Sequence, residues 1–462
     1  MALVQDVNFW TGTGTEPPHT PGTEFSRADK KVLRDLGERI AEIAGLSVHE
    51  GTVAKWKALN GLQPVKPMIW VQEPPWSEMD VDDELRLRTT SDWARYYEWE
   101  MRVLLYTWRH MPADMVVEPV LYSPLVVYNT GFGIAEHVDI APAHGPAPTA
   151  EPRSAAVERA WQSSTDEIIS RHYNVQIRDE EDLERIEVPT VSYDGAVTDQ
   201  QYEQFREIMS GVIEVKKRGA NVPVFWIAPW DLLTTWWGVQ EVLVDMVDRP
   251  ELVHKAVDKL MNAHLGVLDQ LEAQNLLSLN NTYGRVGSGG LGYTDELPQP
   301  GYDPAHVRAK DLWGSSTAQI CGSVSPRMHE EFALHYELRW LSRFGLNYYG
   351  CCEPLHRKMA LLEKIPNLRK VSMSAFIDVD EAVANMGNRY VFSYKPSPAV
   401  LAEDNWDLAR ARDDLEAVFV KAKAHGCVVE VIMKDISTLR HQPQRLWEWA
   451  KMATDLSERY SS

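Results

Sequence analysis

Eight short apolar runs alternate with long amphipathic stretches, and this alternation limits the possible folds more than any other feature of the chain. The runs are rich in β-branched and aromatic residues, which is typical of buried parallel strands. They read MIWVQ (68–72), MVVEPVL (115–121), VPVFWIA (222–228), LLSLNNT (276–282), LNYYG (346–350), KVSMS (370–374), YVFSY (390–394) and CVVEVIM (427–433). Eight strands alternating with helices predict an α/β fold, a (β/α)8 TIM barrel. A doubly wound open sheet is the alternative.

Two connections between these runs are too long for ordinary loops. We expect residues 1–60 to form an N-terminal helical extension and residues 61–455 to form the barrel. The segments 123–221 and 283–324 are then insertions at the barrel rim. The second contains GRVGSGGLG, but YTDELPQPGYDP follows it and cannot be a helix, so nucleotide binding is rejected. A flexible lid or pocket wall is the interpretation we prefer.

Composition excludes several classes of function. The net charge of −20 over 462 residues argues against a nucleic-acid surface, which needs clustered lysine and arginine. No apolar run is long enough to span a membrane, and the N-terminal residues lack a signal pattern. Four cysteines in so long a chain do not form a disulfide framework, so we expect a cytoplasmic protein in which clustered cysteines serve a metal or catalysis.

Two of the four cysteines are adjacent, in the stretch NYYGCCEPLH at the end of a predicted strand. Thiolate, imidazole and carboxylate groups are zinc ligands, and three of them leave a position open for substrate or water. Cys351, Cys352 and His356 could supply such a set, with Glu353 or Asp435 as a substitute. The C-C-x3-H spacing is not a standard zinc signature. The alternative is one buried cysteine, one partly exposed cysteine and a surface histidine.

Several motifs appear in the order found in one enzyme superfamily. They are KPMIWVQEPPWSEM (66–79), VFWIAPWDLLTTWWG (224–238), SVSPRMHEEFALHYELRWLSRFG (323–345) and VSMSAFIDVDEAVANMGNRYVFSYKPSPAVL (371–401). Over roughly residues 60–455 the chain resembles the uroporphyrinogen decarboxylase superfamily, which includes corrinoid-linked methyltransferases that use a zinc-bound thiolate. The resemblance implies a TIM barrel with its site at the C-terminal strand ends, in a homodimer.

The chain departs from this family at the positions that would hold a porphyrin. Where the decarboxylase has carboxylate-binding arginines, this sequence has Gln72, Glu73 and Trp76. A glutamate repels a polycarboxylate, so porphyrinogen decarboxylation is not expected. The histidine of the methyltransferase H-x-C-G motif is also missing. The second family cysteine falls near MKDIST, where Asp435 is the nearest ligand type.

Carboxylates and aromatic side chains at strand ends complete the candidate site. Glu73, Glu353 and Asp378 are candidate general acids, since a carboxyl group in an aromatic pocket has a raised pKa. For each of them, a solvated loop carboxylate is the alternative. Trp226 and Trp230 could form an aromatic wall, although core packing is possible. The full set of expected substrate-binding residues is Gln72, Trp76, Trp226, Trp230, Asn281, Tyr283, Phe376 and Lys395.

Two functions are consistent with these observations. The first is a methyltransferase that moves a methyl group between a small methyl ether or methylamine and a corrinoid, with or without the help of zinc. Because the chain lacks the corrinoid-binding D-x-H-x-x-G motif, the corrinoid would be presented by a carrier protein. The second is a lyase that decarboxylates a small aromatic or heterocyclic acid without a metal. Neither function involves nucleic acid or a membrane.

Overall fold

A seven-stranded parallel sheet forms the centre of the computed structural model, which describes residues 18, 24–142, 168–220 and 226–460. The strands in chain order are β1 (Met68–Val71), β2 (Val120–Pro124), β3 (Val127–Asn129), β4 (Val138–Pro142), β5 (Ile168–Tyr173), β6 (Val191–Tyr193), β7 (Glu214–Arg218), β8 (Trp226–Ile227), β9 (Trp313–Ser316), β10 (Leu346–Tyr349), β11 (Leu368–Met373), β12 (Val391–Tyr394) and β13 (Val428–Met433). The central sheet has the order β1-β13-β12-β11-β10-β9-β8. The fold is therefore mixed α/β and is compatible with a TIM barrel.

Helices follow most of these strands. They are α1 (Arg27–Ala44), α2 (Val48–Asn60), α3 (Asp92–His110), α4 (Glu180–Leu183), α5 (Gly195–Met209), α6 (Pro229–Trp237), α7 (Val239–Asp248), α8 (Pro250–Ala273), α9 (Pro326–His329), α10 (His335–Leu341), α11 (Met359–Leu362), α12 (Val379–Met386), α13 (Ala399–Ala402), α14 (Leu408–Ala424) and α15 (Gln444–Glu458). In α8, Leu252, Val253, Ala256, Val257 and Leu260 are buried, which is the spacing of one helix face. Among the helices described, none is both long and apolar enough to cross a membrane.

The predicted runs at 68–72, 346–350, 370–374, 390–394 and 427–433 each contain a strand of the central sheet. The run 222–228 contributes Trp226–Ile227, and residues 221–225 lie outside the described residues. Only the end of the run 115–121 falls in a strand, β2, which pairs with β7 and not with the central sheet.

The prediction of a strand at 276–282 is wrong, and the strand β9 was missed. Leu277 makes only an isolated bridge with Ala220. The Asn280 side chain then takes the place of a neighbouring strand, because its Nδ2 donates to Trp313 O and its Oδ1 accepts from Trp313 N, both at 2.9 Å. The β9 sequence WGSS has no β-branched residue, and Gly314 is needed there because a Cβ would meet the Phe344 ring at 2.3 Å.

The ladder of strands does not close within the described ranges. β1 and β8 are the two ends of the sheet order, and no strand pairs with both. At the β1 edge, Asp114 N donates to Ile69 O at 3.1 Å. The first predicted insertion, 123–221, contributes the antiparallel pairs β3–β6 and β4–β5 outside the central sheet. The closed eight-stranded barrel is thus not confirmed, although the sheet is parallel as predicted.

The glycine-rich residues 284–292, which we call the interior strap, are buried and do not form an exposed lid. Gln72 Nε2 at the end of β1 donates to Gly289 O. Gly290 N donates to Glu430 of β13 at 3.1 Å, and Ser288 Oγ donates to Gly350 O, beyond β10, at 3.1 Å. The strap therefore reaches from the neighbouring strands β1 and β13 to the end of β10, three strands beyond β13 in the sheet order, which places it on the concave side of a curved sheet. The interpretation of these residues as a flexible lid is therefore wrong, and the pocket wall stays a prediction.

Glycine is required in the interior strap because neighbouring groups approach the backbone closely. A Cβ on Gly289 would lie 2.6 Å from Glu430 Oε1 and 2.6 Å from the Tyr348 ring. We expect Gly289→Ala to lower the free energy of unfolding by about 1–3 kcal/mol, the usual cost of overpacking. The measurement is urea unfolding followed by circular dichroism.

Gly51→Ala is the matched control, because nothing lies within 4 Å of a Cβ at Gly51 in α2. Removing a glycine from the interior of a helix should raise the free energy of unfolding by about 0.5–1 kcal/mol. A Gly289→Ala variant as stable as the wild type would contradict the buried position of the strap.

A buried ion pair lies beneath the strap. Lys370 Nζ of β11 is 2.8 Å from Glu430 Oε2 of β13, and both side chains are 0% exposed. The Lys370 ammonium also lies 5.8 Å from the Trp56 ring centroid and 5.7 Å from that of Trp313. Glu430 therefore accepts from both the strap and Lys370, and it ties the strap to the sheet.

Candidate active site

Polar side chains collect where the central strands end. Because neighbouring strands are parallel, their carboxyl ends lie at one edge of the sheet, which is where barrel enzymes place their active sites. Hydrogen bonds, ion pairs and charge effects link residues that follow five of these ends: Glu73, Asp231, Thr317, Gln319, Cys351, Cys352, Glu353, Lys434 and Asp435.

The adjacent cysteines lie in a turn at the end of β10, as predicted. Gly350 has a φ of +97°, which few residues other than glycine adopt readily. Ser372 Oγ donates to Cys351 O and fixes the turn. The two Sγ atoms are 3.5 Å apart. Cys351 is only 3% exposed and Cys352 is half-buried. Because their sulfur atoms are so close, both thiols belong to the same site.

An ammonium group lies beside this thiol pair. Lys434 Nζ is 3.2 Å from Cys351 Sγ, 4.0 Å from Cys352 Sγ and 2.9 Å from Asp435 Oδ2. The hydrogen bond between the two thiols lowers the pKa of Cys351, and Lys434 lowers it further against the effect of burial. The same hydrogen bond raises the pKa of Cys352. Cys351 is therefore the thiol that ionises first.

The predicted zinc ligands are only partly brought together. Cys352 Sγ is 3.5 Å from Asp435 Oδ2, but His356 Nε2 faces Glu381 at 3.8 Å and burial lowers the pKa of His356. The positive charge next to the thiols and Asp435 is that of Lys434. Within the described ranges, no three His, Cys, Asp or Glu side chains are placed to hold a metal ion. This arrangement does not fit the predicted zinc site.

Glu353, a predicted general acid, is buried and accepts hydrogen bonds at both oxygens. Its Oε1 accepts from Thr317 Oγ1 at 2.8 Å and from Ala318 N at 3.3 Å, and its Oε2 accepts from Cys351 N at 2.8 Å. These donors suit a carboxylate and hold the cysteine turn against the end of β9. The contacts indicate a positioning residue.

The other two predicted acids also have partners. Glu73, with a φ of +49°, accepts from Arg285 at 2.5 Å. Asp378 is exposed and caps α12 by accepting from Glu381 N at 3.0 Å, and this bond lowers the pKa of Asp378. The structure therefore places Asp378 in a helix cap, without a contact to the cysteine pair.

Asp231, which sequence reasoning missed, is a carboxyl group near the strand ends with the properties of an acid. It lies in the first turn of α6, just beyond β8, and accepts from Gln319 Nε2 at 2.5 Å. Burial raises the pKa of Asp231 to about 6. The charge of Glu353 also raises this pKa, whereas the charge of Lys434 lowers it. A carboxyl group that titrates near neutral pH in such a position is a candidate general acid.

Trp230 does not form the aromatic wall that we expected near the predicted strand at 222–228. Its ring is fully buried and its Nε1 donates to Phe332 O at 3.1 Å. Trp76 packs edge-on against Trp99 and Tyr106. Trp230 is a core residue, and the half-buried Trp76 packs against the core. The side chain of Trp226 lies outside the described residues.

Three other expected substrate-binding residues are dispersed. Asn281 Nδ2 donates to Leu297 O at 2.8 Å, and Tyr283 is buried edge-on against Trp70. Phe376, beyond β11, is 76% exposed. These three have no contact with the cysteine pair among those described.

Gln72 and Lys395 do lie inward at the strand ends. Gln72 Oε1 accepts from Arg285, a residue of the interior strap, at 3.0 Å. Lys395 Nζ donates to Ser393 Oγ at 2.9 Å and to the Tyr348 hydroxyl. Arg285 and Lys434 were not predicted, and an isolated basic residue in a sequence gives no signal for such a role.

Comparisons with known proteins do not identify the chain. No protein-family model matches it, and no curated protein matches it. Among solved structures it is similar to a methyltransferase from Methanosarcina mazei, with 11% sequence identity and a TM-score of 0.45 over 89% of this chain and 99% of that chain. So distant a likeness carries no argument about function, which must be made from the site.

Proposed function

We propose that this protein is a methyltransferase that moves a methyl group between a small methyl ether or methylamine and a corrinoid on a carrier protein. The observation that carries the proposal is the ionisable Cys351 beside Lys434 at the strand ends. The sequence resemblance described above supports it. The zinc-assisted form is not carried forward, because His356 turns away and Lys434 supplies the positive charge.

The chain's own residues can carry out the proton chemistry that this reaction needs. A bound corrinoid would supply the group that carries the methyl. Asp231, with its raised pKa, can hold a proton for the departing oxygen or nitrogen, so that the demethylated product leaves neutral. Lys434 stabilises the Cys351 thiolate, and Glu353 fixes the turn that carries it. The site is open to solvent at the half-buried Cys352 and at the exposed Asp435.

The test measures demethylation by purified protein with chemically reduced free cobalamin as the methyl acceptor. A panel of aryl methyl ethers and methylamines serves as donors, and absorbance reports cobalamin methylation. We expect turnover with one donor class, and a loss of about 10²–10⁴-fold in Asp231→Asn, which cannot give up a proton. Asp378→Asn, which alters an exposed helix cap, is the matched control and should retain full activity.

The alternative function, a lyase, predicts a different result in this assay. Release of carbon dioxide from an aromatic acid in the absence of cobalamin, with no methylation of cobalamin by any donor, would contradict the proposal. Turnover unchanged in Asp231→Asn would remove that residue from the mechanism.

A further inference from the structure

Lys395 is a buried lysine that the methyl-transfer proposal does not use. It follows β12 at the same sheet edge as the cysteines, and Pro396 ends the strand directly after it. The side chain is folded back into the concave side of the sheet and the residue is 5% exposed. Its position at a strand end is one where a barrel enzyme places reactive groups.

Only neutral groups contact the Lys395 nitrogen. They are the Tyr348 hydroxyl, Ser393 Oγ at 2.9 Å and Ser393 O at 3.1 Å. In the described part of the chain, no carboxylate lies within 4.0 Å of Lys395 Nζ to form an ion pair. Glu430, the buried carboxylate whose charge acts on Lys395, is already bound by Lys370. The nitrogen thus has three hydrogen-bond acceptors and lies 5.1 Å from the Tyr348 ring centroid, but it is buried without an ion-pair partner.

Burial, and not the sum of the neighbouring charges, is what favours the neutral amine of Lys395. Burial lowers the pKa of Lys395 to about 7, and Lys434 lowers it further, whereas Glu430, Cys351 and Cys352 oppose the shift. A desolvated lysine next to another cation is a known arrangement for a nucleophilic amine. At neutral pH its neutral fraction exceeds that of a surface lysine by roughly a thousandfold.

We propose that Lys395 is a nucleophilic amine that forms an imine with a small aldehyde or ketone at the strand ends. Nζ adds to the carbonyl carbon, and one proton moves from nitrogen to oxygen to give a carbinolamine. A second proton then moves from nitrogen to that oxygen, which leaves as water, so that amine and carbonyl give imine and water. Tyr348, whose hydroxyl contacts Nζ and Ser288 Oγ, can relay that proton. No oxidant or metal is needed. This activity goes beyond methyl transfer and does not depend on it.

The experiment treats the full-length protein at pH 7 with pyruvate or acetaldehyde, followed by sodium borohydride to reduce the imine. Peptide mapping by mass spectrometry then locates the adduct. We expect the peptide containing Lys395 to be modified at least about tenfold more than any peptide with an exposed lysine such as Lys451. The Lys395→Met variant should lose this adduct, and Lys451→Met should keep it.

Modification spread over exposed lysines with Lys395 unmodified by either probe would overturn the proposal. Because the wild-type map alone decides this outcome, the test stands even if Lys395→Met does not fold. The assay contains no cobalamin, so its result is independent of the methyl-transfer test.

Discussion

Replacing Lys434 with methionine is expected to raise the pKa at which the Cys351–Cys352 pair loses its first proton by about one to three units. The ammonium lies 3.2 Å from Cys351 Sγ, and its charge favours the thiolate. The ultraviolet absorbance of thiolate, followed across a pH titration, measures the shift. In the wild type, absorbance should appear below the pH at which an ordinary cysteine ionises, and Cys351→Ser should remove it.

Cys427→Ser is the control for this titration. Burial raises the pKa of Cys427 to about 11, so its loss should leave the low-pH part of the curve unchanged. Because the folded protein lowers the pKa of Cys351, ionisation of this thiol stabilises the fold above the ordinary thiol pKa. That contribution is lost as the pH falls through the lowered value. A low-pH thiolate signal that survives in Cys351→Ser would assign the reactive thiol to another residue.

Replacing Lys370 with methionine is expected to lower the free energy of unfolding by about 3–5 kcal/mol. The substitution keeps most of the side-chain volume but leaves the buried Glu430 carboxylate without its ion-pair partner. Glu430 also accepts from Gly290 N, so the damage should extend to the interior strap. Urea unfolding of the single variant at neutral pH measures the loss.

A second substitution separates the charge from the packing. Glu430→Gln added to Lys370→Met removes the unpaired charge but keeps an oxygen for Gly290 N, and it should recover a large part of the lost stability. Lys451→Met breaks only an exposed pair with Asp455 and should change stability by less than about 1 kcal/mol. A Lys370→Met variant as stable as Lys451→Met would mean that the buried pair does not hold the strap.

The strands with β-branched or aromatic runs could be predicted because burial on both faces requires such residues. The sequence VVEVIM of β13 is an example, and its one charged residue, Glu430, is the partner of Lys370. β9 could not be predicted, since its glycine and serines fit a crowded position and carry no strand signal. The opposite error at residues 276–282 arose because an asparagine side chain, Asn280, substitutes for strand pairing.

The candidate site was predicted where it depends on neighbours in sequence and missed where it depends on tertiary structure. Cys351 and Cys352 are conspicuous because they are adjacent. Lys434 and Asp231 become significant only when the strand ends meet, because Cys351, which Lys434 contacts, and Gln319, which Asp231 contacts, are distant from them in sequence. Glu353 was chosen for its position, but its three hydrogen-bond donors could not be read from the sequence.

The pairing of β1 with β13 has a consequence for how the chain folds. Met68 pairs with Glu430, so the first strand of the sheet completes its hydrogen bonds only with the last. Contacts between residues so far apart in the sequence have a large entropic cost of loop closure, and they slow the folding reaction. During synthesis β1 therefore has an edge without its pairing partner until nearly the whole sheet has left the ribosome. Exposed strand edges of this kind promote aggregation, so the nascent chain should depend on chaperones until β13 is available.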